Sequence, residues 1–127
     1  MRYPNNHISI YPDASGDNRK TNAEQTDISL LKNAGFTVFA NPRNPSILDR
    51  VNTVNNAFDK SRLFVNVAKC SKLTEALERQ AYDPKTNLPE KLNTHPEPSD
   101  YTDSIGYLIS YVMPINRPMS RIQTVGY

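Results

Sequence analysis

The chain has 127 residues, 37% hydrophobic and 22% charged, with Lys+Arg 15 against Asp+Glu 13 and a net charge of +2. That length suits one domain with a modest core and excludes a two-domain enzyme, while so small a charge excludes reading nucleic-acid binding from electrostatics alone. The single cysteine, Cys70, has no disulfide partner within the chain, no Cys/His cluster has zinc-ligand spacing, and the short apolar runs neither span a membrane nor form an export leader, so a reducing intracellular setting is expected.

In HISIYPD, Ile8 and Ile10 alternate with His7, Ser9 and Tyr11, the period of a strand with one aliphatic face, and Asp13 falls just past its C-terminal end. The following ASGDNRKTNAEQ has no apolar period and reads as an exposed loop. Thr26 suits the cap of a short helix containing Ile28, Leu30 and Leu31, with Asp27 at its positive end and Gly35 as its stop. FTVFAN predicts a second strand. Asn44 and Pro45 predict the start of a longer helix, whose buried stripe is Ile47, Val51, Val54 and Phe58. RLFVNV predicts a third strand. Ser71 is placed to cap SKLTEALERQ, in which Leu73, Ala76, Leu77 and Gln80 share a face. The polar, proline-dotted stretch from Tyr82 to Ser99 predicts a long loop, and a last helix runs from about Tyr101 to Met113, where Pro114 ends it. Residues 116–127 are expected to be a loose tail.

Strands alternating with helices predict an α/β chain with a right-handed βαβαβ arrangement, a mostly parallel sheet with helices on its faces, and working residues at the strand C-terminal ends. Asp13 is at such an end. On the last helix, Ile105, Leu108, Ile109 and Val112 fall on one side, and Asp103, Gly106, Tyr107 and Ser110 on the other. Gly106 costs about 1 kcal/mol relative to alanine inside a helix, a cost expected where the helix must approach a backbone or ligand closely. Taken alone, Asp103 suits the helix dipole and Asp13 suits an ordinary turn.

Together the runs IYPDASGDNRKTNAEQTDISLLKNAGF, NPSILDRVNTVNNAF, RLFVNVAKCSKLTEALERQAYD and YTDSIGYLISYVMPI resemble the nuclease domain of phage terminase large subunits, over roughly residues 6–115. Within that family the resemblance is to the short-tailed, headful-packaging phage type. It implies a partial ribonuclease H-like fold over 1–115 and an endonuclease that cuts concatemeric viral DNA during packaging with two divalent ions, Mg²⁺ or Mn²⁺. It assigns Asp13 as the metal-binding acid after the central strand and Asp103, in TDSIGY, as the acid on the closing helix, both catalytic. Hard ions take carboxylate oxygens, and a pair of them activates water and stabilises the leaving oxygen of an in-line displacement.

Asp17 and Asp100 are candidates to join that metal site, each with the alternative of a plain surface carboxylate. Arg19, Lys20 and Arg43 flank the strand ends where a DNA backbone would pass, and Lys91 matches a lysine common before the closing helix of relatives. Each has the alternative of a solvated basic side chain. His95 lies several residues earlier than the histidine often found ahead of the helical aspartate and is read as an exposed loop residue. Cys70 is read as a packed residue near a helix start, not a nucleophile, and Tyr101, Tyr107 and Tyr111 as packing residues.

The sequence departs from the family in two ways. The family's aspartate on an earlier strand is missing, and no phosphate-binding Gly-x-x-x-x-Gly-Lys-Ser/Thr loop occurs. The expectation is therefore an N-terminally truncated nuclease domain whose own activity is left open, with inactivity expected because the first acidic strand is absent. Its expected partners are double-stranded DNA and, in the complete protein, the terminase small subunit and portal, in the cytoplasm of a bacterial host with no membrane. An alternative is a catalytically inactive fragment serving as a DNA- or portal-binding structural module. An open edge beside strand 7–13 also predicts a homodimer, or a covering by one of the tails.

Overall fold

The structure, a computed structural model, describes residues 3–17, 26–90 and 98–115. Strand β1 (Ser9–Ile10) runs parallel to β2 (Thr37–Val38) in the register Ser9↔Thr37 and Ile10↔Val38. Between them come a 3-10 turn (Ala14–Asp17) and helix α1 (Asp27–Asn33). The predicted parallel pairing is present but short, its ladder held by Thr37 N–H to Ile8 O at 3.3 Å and Phe39 N–H to Ile10 O at 2.8 Å. Thr26 caps α1 as expected, its Oγ1 accepting the Ser29 N–H at 3.1 Å. At the other end Gly35 takes a φ of +94°, and the N–H groups of Gly35 and Phe36 return to Lys32 O and Leu31 O at 3.0 and 3.2 Å. This paired closure requires a left-handed residue, which glycine adopts without a steric penalty.

Helix α2 (Ile47–Asp59) is capped by Ser46, whose Oγ accepts the Asp49 N–H at 3.1 Å, and not by Asn44. It closes as α1 does, with Ser61 N–H to Phe58 O at 3.0 Å and Arg62 N–H to Ala57 O at 2.8 Å, but the left-handed position is held by Ser61 at φ +54°. An L-residue pays about 1–2 kcal/mol there, of which glycine's greater unfolded-state freedom takes back part. Ser61→Gly is therefore expected to stabilise the domain by about 0.5–1 kcal/mol. A thermal melt checks it, and a lower midpoint for the variant would contradict it.

The buried face of α2 is rotated from the expected stripe. Val54 is buried as predicted, but its companions are Arg50, Thr53 and Ala57, while Ile47 and Phe58 are each 36% exposed and Val51 is half-buried. The cause is polar: the Arg50 side chain turns inward to an acid on the last helix, and small Ala57 lets that helix come close.

The third strand is absent among the described residues. In 62–67 the N–H groups of Arg62 and Leu63 are spent on closing α2, the turn after it sends Lys69 and Cys70 N–H to Asn66 O, and Phe64 is left 81% exposed. Strand-forming residues need a ladder partner, and the two-stranded sheet of the described residues offers none there. Helix α3 (Ser71–Arg79) begins at Ser71, so its cap position is Cys70, which makes no side-chain cap bond and is exposed rather than packed. Its expected inner face holds, with Ala76 buried and Leu73, Leu77 and Gln80 half-buried. Part of the predicted loop is an ordered hairpin: Tyr82 bridges Pro89 in antiparallel fashion, Asp83 N–H reaches Leu88 O at 2.8 Å, and Asn87 turns the chain at φ +56°.

Helix α4 (Pro98–Val112) starts three residues earlier than expected and packs against both α2 and α3. Its Ile105 and Ile109 join Val54 and Ala57 in the core, with Leu63, Leu73 and Met113 packed around them. Leu108 and Val112, expected on the same side, are exposed. Among the described residues four helices and a two-stranded parallel sheet make a limited α/β fold, in which α1 packs on β2 while α2 and α3 pack on α4 and not on the sheet faces expected.

Candidate functional site

Three aromatic rings draw the ends of β1 and β2 onto α4. Tyr11 lies 5.4 Å from Phe39 and 5.4 Å from Tyr111, and Phe39 lies 5.7 Å from Tyr111, within the range of favourable ring packing. One helical turn before Tyr111 is Tyr107, and two residues after Tyr11 is Asp13. The cluster therefore brings Asp13 to the face of α4 that carries Tyr107, whose hydroxyl donates to Asp13 Oδ2 at 3.2 Å.

The other oxygen of Asp13 is held from the loop between β2 and α2. Asn44 Nδ2 donates to Asp13 Oδ1, the Asn44 carbonyl Oδ1 accepts the Ala14 N–H at 2.8 Å, and the Ser15 N–H adds a bond to Asp13 Oδ1 at 2.7 Å. Asn44 thus clamps the acid-bearing turn, which is why it is not the helix cap. Burial pushes the Asp13 carboxyl pKa upward, but the bonds from Asn44, Ser15 and Tyr107 outweigh it and hold the group below its ordinary 3.8. An acid whose folded-state pKa is depressed contributes stability above its unfolded-state value and loses it as the pH falls through the folded-state value. Asn44→Ala is expected to raise the Asp13 pKa and to start that acid-side loss at a higher pH. A carbon-13 titration of the Asp13 carboxyl measures it, and an unchanged midpoint would show that Asn44 does not stabilise the charge.

Asp103, one turn before Tyr107 on α4, accepts from Arg50 NH2 at 3.1 Å. Arg50 is 7% exposed, donates from NH1 to Pro45 O at 2.8 Å, and lies over the Tyr107 ring with 4.8 Å from the guanidinium carbon to the centroid. Its Nε has no partner among the described residues. Gly106 makes room for it: a Cβ there would stand 3.3 Å from Arg50 Cβ and 3.4 Å from Cδ. The close approach expected at Gly106 is to this side chain. Burial keeps the Tyr107 pKa above its usual value against the lowering effect of Arg50, so its hydroxyl remains a donor. A cavity of about 160 Å³ adjoins the Arg50–Asp103 pair, between α2, α3 and α4.

The terminase RNaseH-like domain model matches residues 2–111, most of the chain. The chain belongs to this terminase domain family. Comparison with curated proteins and with solved structures finds no significant match.

In this terminase domain both acids converge on the Tyr107–Arg50 pair, Asp13 through the tyrosine and Asp103 through the arginine. Carboxylate oxygens suit a hard divalent ion, and two aspartates are enough for one hydrated magnesium. Among the described residues no three of His, Cys, Asp and Glu gather so as to hold a metal ion. Asp100 is exposed in the first turn of α4, and Arg43 is exposed on an open groove of about 800 Å³ that Asn52, Thr53, Ser110 and Tyr111 also line. Arg19, Lys20, Lys91 and His95 lie outside the described residues, as does the side chain of Asp17. Sequence reading missed Asn44 and Arg50, and read Tyr107 as a packing residue where its hydroxyl bonds Asp13. Asn44 carried a signal that a cap explained equally well, and Arg50 had none beyond being a charge between two apolar positions of α2.

Proposed function

We propose that this terminase domain contributes Asp13 and Asp103 to a nuclease centre that cuts concatemeric viral DNA during packaging, with Mg²⁺ or Mn²⁺ as its ion. The observation that carries the reading is the convergence of two aspartates ninety positions apart onto one tyrosine–arginine pair, in a family defined by a ribonuclease H-like fold. Asp13 and Asp103 would hold the ion, which when bound supplies charge to offset a phosphate and polarise water. The chain's own groups fix the two carboxylates: Asn44 and Tyr107 for Asp13, Arg50 for Asp103. Arg43, which lines the groove, would meet a DNA phosphate, with Arg19, Lys20 and Lys91 as further contacts and Asp17 and Asp100 as auxiliary carboxylates. Double-stranded DNA is the substrate, and the small subunit and portal are partners of the packaging assembly in the host cytoplasm. Residues 1–115 form the nuclease portion and 116–127 its tail. Among the described residues no helix is long and apolar enough to cross a membrane.

A second reading has its own support. Asp103 is already neutralised by Arg50, and two carboxylates balance only part of the roughly four positive charges of a two-ion centre. On this reading the 127-residue chain is a poorly active module that binds DNA or the portal, and full cutting needs an acid from outside the described residues, such as one on the family's earlier strand. The test is plasmid cleavage with Mn²⁺ by the 127-residue chain and by a longer form carrying that strand. Weak cutting by the first and metal-dependent cutting by the second is expected. Robust cutting by the short chain that survives both Asp13→Asn and Asp103→Asn would place the active site elsewhere. β1 has β2 as its ladder partner among the described residues, and a homodimer through the 7–11 edge remains part of the proposal. Sedimentation at increasing concentration reads it directly, and a strict monomer would remove it.

A further inference from the structure

We infer that Arg50 is a positioning residue that makes Asp13 and Asp103 a single unit, holding Asp103 by an ion pair and Asp13 through Tyr107. The inference rests on the reading of those acids as the nuclease site.

The first observation is where the arginine is. A guanidinium is seldom buried unless its donors are used, and Arg50 is 7% exposed on the face of α2 that meets α4, where Val54 and Ile105 line the same cavity. A leucine or methionine would fill that place with no charge to desolvate, and replacing a buried ion pair by apolar residues is often neutral or stabilising. Stability alone therefore does not account for it. Gly106, poor for a helix, gives the arginine its slot, so two sequence choices that each weaken the fold serve the same side chain.

The second observation is what the guanidinium touches. NH1 is fixed to Pro45 O at the start of α2, one residue after Asn44, and NH2 to Asp103 Oδ1. The planar fork thus sets the rotamer of Asp103, whose side chain keeps 40% of its surface exposed for a ligand. The same plane lies 4.8 Å from the Tyr107 centroid, where a cation draws charge from the ring and strengthens its hydroxyl as the donor to Asp13 Oδ2. From Pro45 the loop returns to Asn44, which grips Asp13 Oδ1. Asp13 is thus held on one oxygen by Tyr107, which Arg50 overlies, and on the other by Asn44, the neighbour of the Pro45 that Arg50 fixes, although Arg50 itself makes no bond to it.

Arg50→Lys keeps the charge and loses the fork, and Tyr107→Phe removes one hydroxyl. Carbon-13 shifts of the aspartate carboxyls in the folded 127-residue chain are the deciding readout, with Mn²⁺ alone as the binding probe. In Arg50→Lys both the Asp103 and the Asp13 resonances are expected to move and Mn²⁺ affinity to fall about tenfold or more, as for other residues that orient metal ligands. In Tyr107→Phe, Asp13 is expected to move most. A merely structural arginine would lower the melting temperature in Arg50→Lys and leave the Asp13 resonance in place, and that result overturns the inference. If the unsubstituted chain takes up no Mn²⁺ in any form, the nuclease reading fails, while the carboxyl shifts still decide whether Arg50 positions the acids.

Discussion

If this terminase domain cuts DNA as proposed, Asp13→Asn and Asp103→Asn are each expected to lower Mn²⁺-dependent plasmid cutting by roughly a hundredfold or more, beyond what losing a residue that merely orients a ligand typically costs. Asparagine has the shape of aspartate without its charge. At position 103 it keeps an oxygen for Arg50, and at position 13 it keeps one oxygen for Asn44 and Ser15 while its amide can donate to the Tyr107 hydroxyl, so the hydrogen-bonded frame has no steric reason to collapse. What disappears is the negative charge that a divalent ion requires. The measurement pairs initial cleavage rates with thermal melts of the same preparations. Loss of cutting with a near-native melt assigns the carboxylates to the reaction, and cutting within a fewfold of the parent in both variants would remove Asp13 and Asp103 from the site.

The largest effect on stability is expected at Ile109, the largest fully buried side chain among the described residues, 2% exposed. It sits on α4 against Val54, Ala57 and Ile105, where that helix meets α2. Removing its buried methylenes loses their transfer energy and leaves a cavity that small Ala57 does not fill, so Ile109→Ala should cost about 2–5 kcal/mol. A domain of this size has only about 5–15 kcal/mol in hand, so the variant should be partly unfolded at modest urea. Leu108→Ala, one position along the same helix but at the surface, is expected to change stability by about 0.5 kcal/mol or less. Equal midpoints for the two variants would mean that α4 is not packed on α2 as described.

The elements with local signals were legible in the sequence. Thr26 and Gly35 bracket α1, Pro114 follows α4, and the apolar period of α3 gives its inner face, because caps, stops and periodicity are written into neighbouring residues. The β1–β2 pair was legible as two strands, though the ladder is shorter than the runs that announced it. RLFVNV shows why propensity alone falls short: pairing is a relation between distant segments, and the end of α2 takes two of the N–H groups that a ladder would have used. The stripe of α2 was misread for a related reason. Periodicity assumes that apolar residues face inward, and here a long-range ion pair turned Arg50 in and left Ile47 and Phe58 toward solvent. Asp13 and Asp103 stood out through their motifs, whereas Asn44 and Arg50 act through partners 31 and 53 positions away that no local pattern reveals.

The side-chain bonds that hold the two acids from other elements join residues far apart in the chain. The sequence separations are 31 for Asn44 with Asp13, 53 for Arg50 with Asp103 and 94 for Tyr107 with Asp13. Contacts of such length form only after much of the loop entropy between them has been lost, so the site should be among the last features to assemble during folding and among the first to come apart. The site depends most on α4, because detachment of that single helix withdraws Tyr107 and Asp103 together and leaves Asp13 with Asn44 and Ser15. Slow-exchanging amides from Gly106 to Ile109 would then serve as a clock for the whole site, exchanging through the same opening that separates the two acids.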